Sequence, residues 1–236
     1  MLSQREKERY SRHLTLREIG EEGQEKIRQA RILVVGAGGL GSPVLYYLAA
    51  AGVGTIGIMD DDKVSESNLQ RQILYDSSCT GVSKVSAAKR RLEALNPQCR
   101  VFGYEQRLKQ ENACVVNDYD IVVDATDNLL SRYIINDACV KYGKPFVYGS
   151  ICEFEGQISV FNHKEGPAYR DLFEYHEDIA SFSQPQGVIG ALPGVVGSLQ
   201  AAETIKIILD RCTLSGKLLL INILDMTFST IDFSMK

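Results

Sequence analysis

The sequence predicts an α/β fold with one doubly wound, mostly parallel sheet of the Rossmann-like kind, helices on both faces and an antiparallel C-terminal extension. Short apolar runs alternate with stretches of helical spacing through the first 150 residues, as in successive βα units. A glycine-rich turn follows the first apolar run, where such folds pass from strand to helix. Residues 217–234 give two β-like runs without an intervening helix, which indicates antiparallel pairing there.

The individual elements are predicted in chain order from these patterns. Residues 1–29 are highly charged with a sparse apolar face, so we expect an N-terminal helical arm. Residues 30–150 form the predicted core, residues 151–236 form a sheet extension with a crossover loop, and the whole chain, 1–236, is expected to be a single domain. The predicted strands are 31–36, 55–59, 100–104, 119–123, 145–148, 156–162 and two within 217–234, and the predicted helices are 42–51, 83–95, 129–142 and 195–209.

Composition and charge exclude several classes of protein. The 236 residues carry a net charge of −4, so the basic footprint of a nucleic-acid-binding protein is absent. The longest apolar stretch, 32–53, is interrupted by several glycines and Pro43, and the polar N-terminus is unlike a signal peptide. The six cysteines form no CxxC pair and are expected to be reduced. We therefore expect a cytoplasmic protein that binds neither nucleic acid nor membrane.

The glycine-rich turn has the spacing G-x-G-x-x-G, formed by Gly36, Gly38 and Gly41. Glycine permits a tight turn and close approach of a phosphate to backbone N–H groups, and the helix start adds a positive dipole end. Asp60 closes the next strand, about 20 residues further on, where an acid can accept hydrogen bonds from a ribose. Residues 30–150 are thus a predicted nucleotide-binding core, and NAD is the first nucleotide such a turn suggests.

The residues that follow favour ATP over NAD. A polar run ends in Arg71 and Gln72, Lys84 opens a later helix, and a second acidic strand end leads to Asp127. A triphosphate needs cations, and Mg²⁺ needs hard oxygen ligands, whereas a nicotinamide site needs neither. The three histidines, at positions 13, 163 and 176, suggest no Ser-His-Asp arrangement and are interpreted as surface or structural residues.

Several segments in order along almost the whole chain resemble the ThiF/MoeB/HesA family, the bacterial relatives of ubiquitin-activating enzymes. The run from Asp60 to Leu74 is more similar to ThiF than to MoeB. The matching segments are 9–12, 36–41, 60–72, Lys84, 124–128, 155–157 and 197–201.

The resemblance implies five catalytic residues. Asn68, Arg71 and Lys84 would bind the triphosphate and stabilise the transition state, and Asp127 would bind Mg²⁺. Arg12 matches the arginine that reaches into the site of the other subunit, which implies a homodimer. Each has a plainer interpretation: Arg12, Arg71 and Lys84 as solvated surface residues, Asn68 as a turn residue, and Asp127 as the N-cap of the helix predicted over 129–142.

The resemblance also implies residues that bind the nucleotide. Asp60 would hold the ribose, and the glycine turn would accept the phosphates. The full set is Gly36, Gly38, Gly39, Gly41, Asp60, Asp62 and Gln72.

The function implied is that of an ATP-dependent adenylyltransferase. It would activate the C-terminal carboxylate of a small ubiquitin-like sulfur carrier, a ThiS-like protein ending in Gly-Gly, as an acyl-adenylate with release of pyrophosphate, in thiamine biosynthesis. Three alternatives stay open: adenylation of a small-molecule or peptide carboxylate, a non-catalytic nucleotide-binding scaffold, and an NAD-dependent oxidoreductase.

The sequence departs from the family pattern in two places. The stretch that usually carries a CxxC zinc pair reads Ala168 to Leu172 without cysteine, and the second pair after the last strand is missing, so we expect no zinc. The cysteine of the crossover loop is replaced near Ser183. Serine forms no disulfide, so we expect the protein to stop at adenylation. The aromatic segment 164–186 is interpreted as a substrate-covering or a packed surface loop.

Overall fold

The computed structural model of the chain describes residues 1–175 and 187–233. Its strands form one eight-stranded sheet in the order β3-β2-β1-β4-β5-β6-β7-β8. The pairs among β1 to β5 are parallel, and those from β5 to β8 are antiparallel. The predicted fold class is therefore confirmed. The strands are β1 Arg31–Val35, β2 Thr55–Met59, β3 Arg100–Tyr104, β4 Ile121–Asp124, β5 Phe146–Cys152, β6 Glu155–Phe161, β7 Lys217–Asn222 and β8 Thr227–Asp232.

Helices cover both faces of this sheet. One hydrophobic core lies under α4, α5 and α8, and a second lies under α6 and α7. Ile32 and Val34 of β1 point into the first core, and Leu33 and Val35 point into the second, so the strand is apolar throughout. The helices are α1 Gln4–Arg9, α2 Ser11–Leu14, α3 Gly20–Gln29, α4 Gly41–Ala51, α5 Lys84–Leu95, α6 Leu129–Tyr142, α7 Tyr169–Leu172 and α8 Ala191–Ile208.

Glycines in the left-handed region end the two helices that return the chain to the sheet. Gly52 follows α4 with φ 90°, and Gly143 follows α6 with φ 63°. A residue without Cβ adopts this conformation at little steric cost, which is why helices commonly stop there. These stops lead into β2 and β5. The carboxyl ends of β1, β2 and β4 meet at one edge of the sheet because β1 pairs in parallel with both β2 and β4.

The structure also differs from the sequence predictions. The predicted arm 1–29 divides into three helices, with breaks at Tyr10 and after Leu14. The segment interpreted as a loop contains α7, whose start is capped because Asp171 Oδ2 accepts the Ala168 N–H at 2.7 Å. Short 3-10 helices over Glu66–Asn68, Ser77–Cys79 and Gln110–Asp118 were not predicted. Across the described ranges, none of the helices combines the length and apolar character that crossing a bilayer requires.

Candidate active site

A cavity of about 340 Å³ opens at the carboxyl ends of β1, β2 and β4. In open α/β sheets this is where ligands bind, because the strand order reverses there and helix starts face the crevice. Most of the predicted site residues line it together, whereas three do not. Those that line it are Gly36, Gly38, Gly39, Asp60, Asp62, Arg71, Gln72, Lys84 and Asp127, and those outside the lining are Arg12, Gly41 and Asn68.

The glycine turn is packed against the turn that follows β4. Gly36 has φ +98°, and a Cβ at this position would lie 2.4 Å from the Ala125 carbonyl oxygen. A Cβ on Gly41 would lie 2.2 Å from the Gly36 carbonyl oxygen, so Gly41 supports the turn from behind. A Cβ on Gly38 would meet only the Gln72 amide nitrogen, at 3.5 Å. The backbone at Gly38 is therefore open to a phosphate, as the spacing predicts.

Asp60 is held directly beneath the glycine turn. Its Oδ2 accepts the Ala37 N–H at 2.7 Å, and its Oδ1 accepts the Asp62 N–H at 2.8 Å. Burial raises the pKa of Asp60, while these two N–H groups and the Lys84 ammonium oppose the rise. The carboxylate is thus fixed in position at the cavity wall, with lone pairs left for a hydroxyl donor.

Lys84 places a buried cation at the start of α5. Only 5% of the residue is exposed, and its Nζ lies 2.7 Å from Asp62 Oδ2. Tyr75 donates its hydroxyl to the Ala37 carbonyl at 2.7 Å and fixes the glycine turn beside this lysine. Because Asp62 itself is largely exposed, a phosphate could replace it as the partner of Lys84.

The segment from Asn68 to Gln72 is a turn that presents two side chains to the cavity. The backbone carbonyl of Asn68 accepts the N–H groups of Arg71 and Gln72, at 3.0 and 2.9 Å, and its side chain accepts the Ser65 N–H at 3.2 Å. Asn68 has the geometry of the turn residue that the sequence left as its alternative. Arg71 is half-buried, and buried Gln72 Oε1 has no hydrogen-bond partner among the described residues. Both side chains line the cavity.

Asp127 lies on the exposed tip of the turn after β4. The N-cap of α6 is Asn128, whose Oδ1 accepts the Ser131 N–H at 2.9 Å, so the alternative that made Asp127 the cap is wrong. The Asp127 carboxylate has no hydrogen bond or ion pair within 1–175 and 187–233. A carboxylate without a partner beside cationic side chains is suited to binding a hard metal ion.

Two charged residues at the base of this turn were missed by the sequence interpretation. Asp124 ends β4 and is fully buried, and Arg132, on α6, is 4% exposed and lines the cavity. Arg132 Nε lies 3.4 Å from Asp124 Oδ2. Desolvation raises the pKa of the Asp124 carboxyl, and the guanidinium of Arg132 offsets part of that rise. The available signal was a single arginine in a half-buried helix, which does not reveal its partner.

Arg12 and the histidines lie away from this cavity. Arg12 is exposed on α2 and is not brought to the cavity of its own chain. His13 Nδ1 lies 2.8 Å from Gln24 Oε1, and His163 is also outside the cavity lining, as expected for structural residues. His176 and Ser183 fall outside the described residues.

Where the family zinc pair would begin, the described residues make other contacts. Tyr169 is 1% exposed in the second core, and Arg170 donates two hydrogen bonds to the Asp137 carboxylate, at 2.7 and 2.8 Å. Asp171 caps α7. Within the described ranges, one cluster of three potential metal ligands is found, formed by the partly buried Asp60 and the exposed Asp61 and Asp62. All three residues line the cavity. The absence of zinc stays a prediction.

The fold and the cavity together define a class of protein. It is a Rossmann-like domain in which a glycine turn open to phosphate and several cationic side chains line one cavity. The model of the ThiF family matches residues 10–236. The chain therefore belongs to the ThiF family, as its motifs predicted.

Two relatives named as adenylyltransferases are similar to nearly all of this chain. A probable molybdopterin-synthase adenylyltransferase of Porphyra purpurea is 49% identical over 228 residues, which cover 93% of this chain and 59% of that protein. A sulfur carrier protein adenylyltransferase of Thermus thermophilus is 47% identical over 232 residues, with 94% of this chain and 86% of that protein covered. The chain thus spans little more than half the length of the Porphyra relative.

Solved structures confirm the fold. A crystal structure of Escherichia coli MccB with ATP superposes with a TM-score of 0.84 at 23% identity, over 97% of this chain and 72% of that one. At this identity the similarity concerns the architecture alone. The overall fold of this chain is thus one that solved structures contain.

Proposed function

We propose that the protein is an ATP-dependent adenylyltransferase that activates the C-terminal carboxylate of a small ubiquitin-like sulfur carrier ending in Gly-Gly. One observation carries the proposal: Lys84, Arg71 and the unpartnered Asp127 line one cavity together with the open glycine turn. Cations, a metal-type ligand and free backbone N–H groups are what a nucleoside triphosphate needs. A hydride-transferring site would need none of these cations.

In the reaction a carboxylate oxygen attacks the α-phosphorus of ATP, the bond to the bridging oxygen breaks, and pyrophosphate leaves with that electron pair. Negative charge accumulates on the phosphoryl oxygens and on the leaving group. Lys84 and Arg71 stabilise this charge, and the glycine turn orients the phosphates, so the chain supplies electrostatics and positioning rather than acid–base groups. Asp127 would hold Mg²⁺, and the ion would neutralise part of the charge on the triphosphate and so reduce its repulsion of the incoming carboxylate.

Asp60 binds the ribose of the nucleotide beside the glycine turn. Its carboxylate, placed by Ala37 and Asp62, accepts the ribose hydroxyls. Gln72 Oε1, buried without a partner, offers a second acceptor at the same wall. A nucleotide whose ribose lies at Asp60 therefore has its phosphates beside the glycine turn and Lys84.

The proposed partner is supported by the named relatives, and the proposed assembly is supported by the exposure of Arg12. Because relatives are named for a sulfur carrier protein and for molybdopterin synthase, we infer a protein carboxylate as substrate. Arg12 is exposed in its own chain, and we propose that a homodimer places it in the cavity of the second subunit. The thiamine pathway stays a prediction, since neither of these two names refers to it.

The proposal is tested by ATP–pyrophosphate exchange with the purified protein and Mg²⁺. ThiS-like and molybdopterin-synthase-type carriers ending in Gly-Gly are added separately. We expect exchange that depends on one carrier and on its last glycine. Arg71→Ala should reduce it by about 10²–10³-fold, the usual effect of removing one transition-state charge stabiliser.

The control is Lys89→Ala, which removes a half-exposed cation from the outer face of α5 and should leave exchange unchanged. Tight ATP binding with no exchange for either carrier would overturn the protein substrate. Exchange driven by a small carboxylate instead would support the small-molecule alternative.

A further inference from the structure

The turn from Asp124 to Asn128, here called the β4 turn, is held from inside by its first residue. Asp124 Oδ1 accepts the Thr126 N–H at 2.9 Å and the Thr126 hydroxyl at 2.6 Å. The Asp124 carbonyl accepts a hydrogen bond from the Gln200 amide of α8 at 2.6 Å. Asp124 therefore links the end of β4 to the turn and to the helix packed beneath it.

Arg132 holds the same turn from the side of α6. Its Nη2 donates to the Thr126 carbonyl at 3.4 Å and to Ser150 Oγ at 3.1 Å, and its guanidinium lies 5.4 Å from the Tyr148 ring centre. Thr126 is thus bound on its N–H, its hydroxyl and its carbonyl by the two members of one ion pair.

This ion pair is poorly suited to stabilising the fold. Arg132 Nε and Asp124 Oδ2 are 3.4 Å apart, and neither atom has a hydrogen-bond partner among the described residues. Removing two charges from water costs several kcal/mol per ion, and a loose pair does not recover that cost. An apolar pair of similar volume would serve packing as well or better. The geometry therefore indicates a role other than stability.

The arrangement of Asp124 and Arg132 fixes the part of the turn that carries Asp127. Ala125 is tied to β1 because its N–H donates to the Val35 carbonyl at 2.8 Å, and Asn128 is committed to capping α6. Among the polar side chains of the β4 turn, only that of Asp127 makes no hydrogen bond or ion pair with the described residues. Its carboxylate is projected into the cavity by a turn fixed on both sides.

We propose that Asp124 and Arg132 are positioning residues that hold the Asp127 carboxylate in the geometry for Mg²⁺ within the nucleotide cavity. The inference rests on the proposed function, because it takes Asp127 as the metal ligand. Groups that orient a metal ligand without touching the metal commonly change metal affinity or activity by about 10–100-fold. Their loss should therefore raise the Mg²⁺ requirement, whereas loss of a purely structural pair would lower the amount of folded protein.

The test is ATP–pyrophosphate exchange measured across a Mg²⁺ titration for Arg132→Lys, Arg132→Met and Asp124→Asn. We expect the Mg²⁺ concentration at half-maximal exchange to rise by about tenfold or more in Arg132→Met and Asp124→Asn. Arg132→Lys should give a smaller rise, because an ammonium keeps the charge but not the forked contacts. ATP binding measured in EDTA should stay unchanged.

Asp137→Asn is the matched control. Asp137 lies on α6, the same helix as Arg132, but outside the cavity. The substitution breaks its ion pair with Arg170 of α7. Its Mg²⁺ midpoint should equal that of the natural chain. Circular dichroism and melting curves identify the folded variants. Asp124→Asn decides the question if Arg132→Met does not fold, since an asparagine can keep the bonds to Thr126 and removes only the charge that pairs with Arg132 and fixes its guanidinium.

The outcomes are distinguishable. Folded variants with reduced exchange at an unshifted Mg²⁺ midpoint would overturn the positioning role and leave the proposed function intact. A natural chain without exchange at any Mg²⁺ concentration would overturn the proposed function, and the positioning role with it. A shifted midpoint in the cavity variants and none in Asp137→Asn would support the proposal.

Discussion

The parallel part of the sheet buries charged side chains, whereas the antiparallel end exposes apolar ones. At the carboxyl ends of β1, β2 and β4, the buried Lys84 and Arg132 line an open cavity, and the buried Asp124 lies beneath it. At the hairpin of β7 and β8, apolar side chains are exposed instead, with Phe228 at 53% and Met226 at 72%. Both arrangements run against the usual partition of side chains between core and solvent.

The difference teaches where each end obtains its stability. Buried charges at the cavity are costly in the free protein and become favourable when a ligand of opposite charge fills the site. Exposed apolar residues on the hairpin cost little, because a solvated edge strand is not required for the central core. Changes at the cavity should therefore affect ligand chemistry or local fold strongly, and changes on the hairpin face should affect neither.

The largest effect is expected for Lys84→Ala. Removing this cation should reduce ATP–pyrophosphate exchange by about 10²–10³-fold, because no other ammonium faces the phosphates from α5 in the described structure. The melting temperature should change little, since its partner Asp62 is largely exposed and is rehydrated. A large drop in the melting temperature of Lys84→Ala would contradict this expectation, because the loss of exchange would then reflect a loss of folded protein.

The next effect is on folding itself. Gly36→Ala places a Cβ 2.4 Å from the Ala125 carbonyl oxygen in a residue with φ +98°, so we expect a loss of about 2–5 kcal/mol in the free energy of unfolding. Gly143→Ala is the matched variant, with φ +63° and no atom within 4 Å of the added Cβ, and should cost only about 1 kcal/mol. Urea unfolding measures both, and equal losses would show that the turn can relax.

A smaller effect is expected in the pH dependence of nucleotide binding. Because burial raises the pKa of Asp60, the ionised carboxylate that accepts the ribose hydroxyls is lost at a pH above the ordinary aspartate value of about 3.9. ATP affinity measured by calorimetry should fall as pH drops through this raised pKa. In Asp60→Asn affinity should be lower and this acid limb should be absent.

The free energy of unfolding should depend on the ionisation of Asp60 in the opposite direction to ATP affinity. A folded-state pKa above the unfolded value means that protonated Asp60 favours the native state, so its contribution is full at low pH and is lost as pH rises through the folded pKa. Asp60→Asn should therefore remove a weak destabilisation near neutral pH. An acid limb that persists in Asp60→Asn would assign the titration to another group.

The smallest effect is expected on the hairpin. Phe228→Ser should change the free energy of unfolding by no more than about 0.5 kcal/mol, since the side chain is exposed. Phe161→Ser, on β6 and fully buried, should cost about 3–5 kcal/mol by the usual large-to-small penalty. Chemical denaturation of both variants compares them directly, and a costly Phe228→Ser would mean that the hairpin face contributes to the core.

The sequence predicted most of the scaffold from local patterns. Strands such as Arg31–Val35 are continuous apolar runs, and the helix stop at Gly143 is a local signal, so both were predicted within a residue or two. The glycine turn and Asp60 follow a spacing that fixes their place relative to a strand end, and they do meet at the cavity. What failed was also local in origin: the capping of α7 by Asp171 is a single bond that periodicity does not register, and periodicity did not separate the three helices of the arm.

The sequence by itself thus determined the order of the main strands and helices along the chain, the family and nine of the residues that line the cavity. Periodicity and turn spacing are properties of neighbouring residues, so they can be read from the sequence alone. Only the tertiary structure decided that Asn68 builds a turn, that Asn128 rather than Asp127 caps α6, and that Asp124 and Arg132 pair at 3.4 Å beneath the cavity. The bonds of Asn68 and Asn128 span only three residues, and periodicity does not distinguish them from their alternatives. The pair of Asp124 and Arg132 is set by the packing of β4 against α6, which buries both side chains.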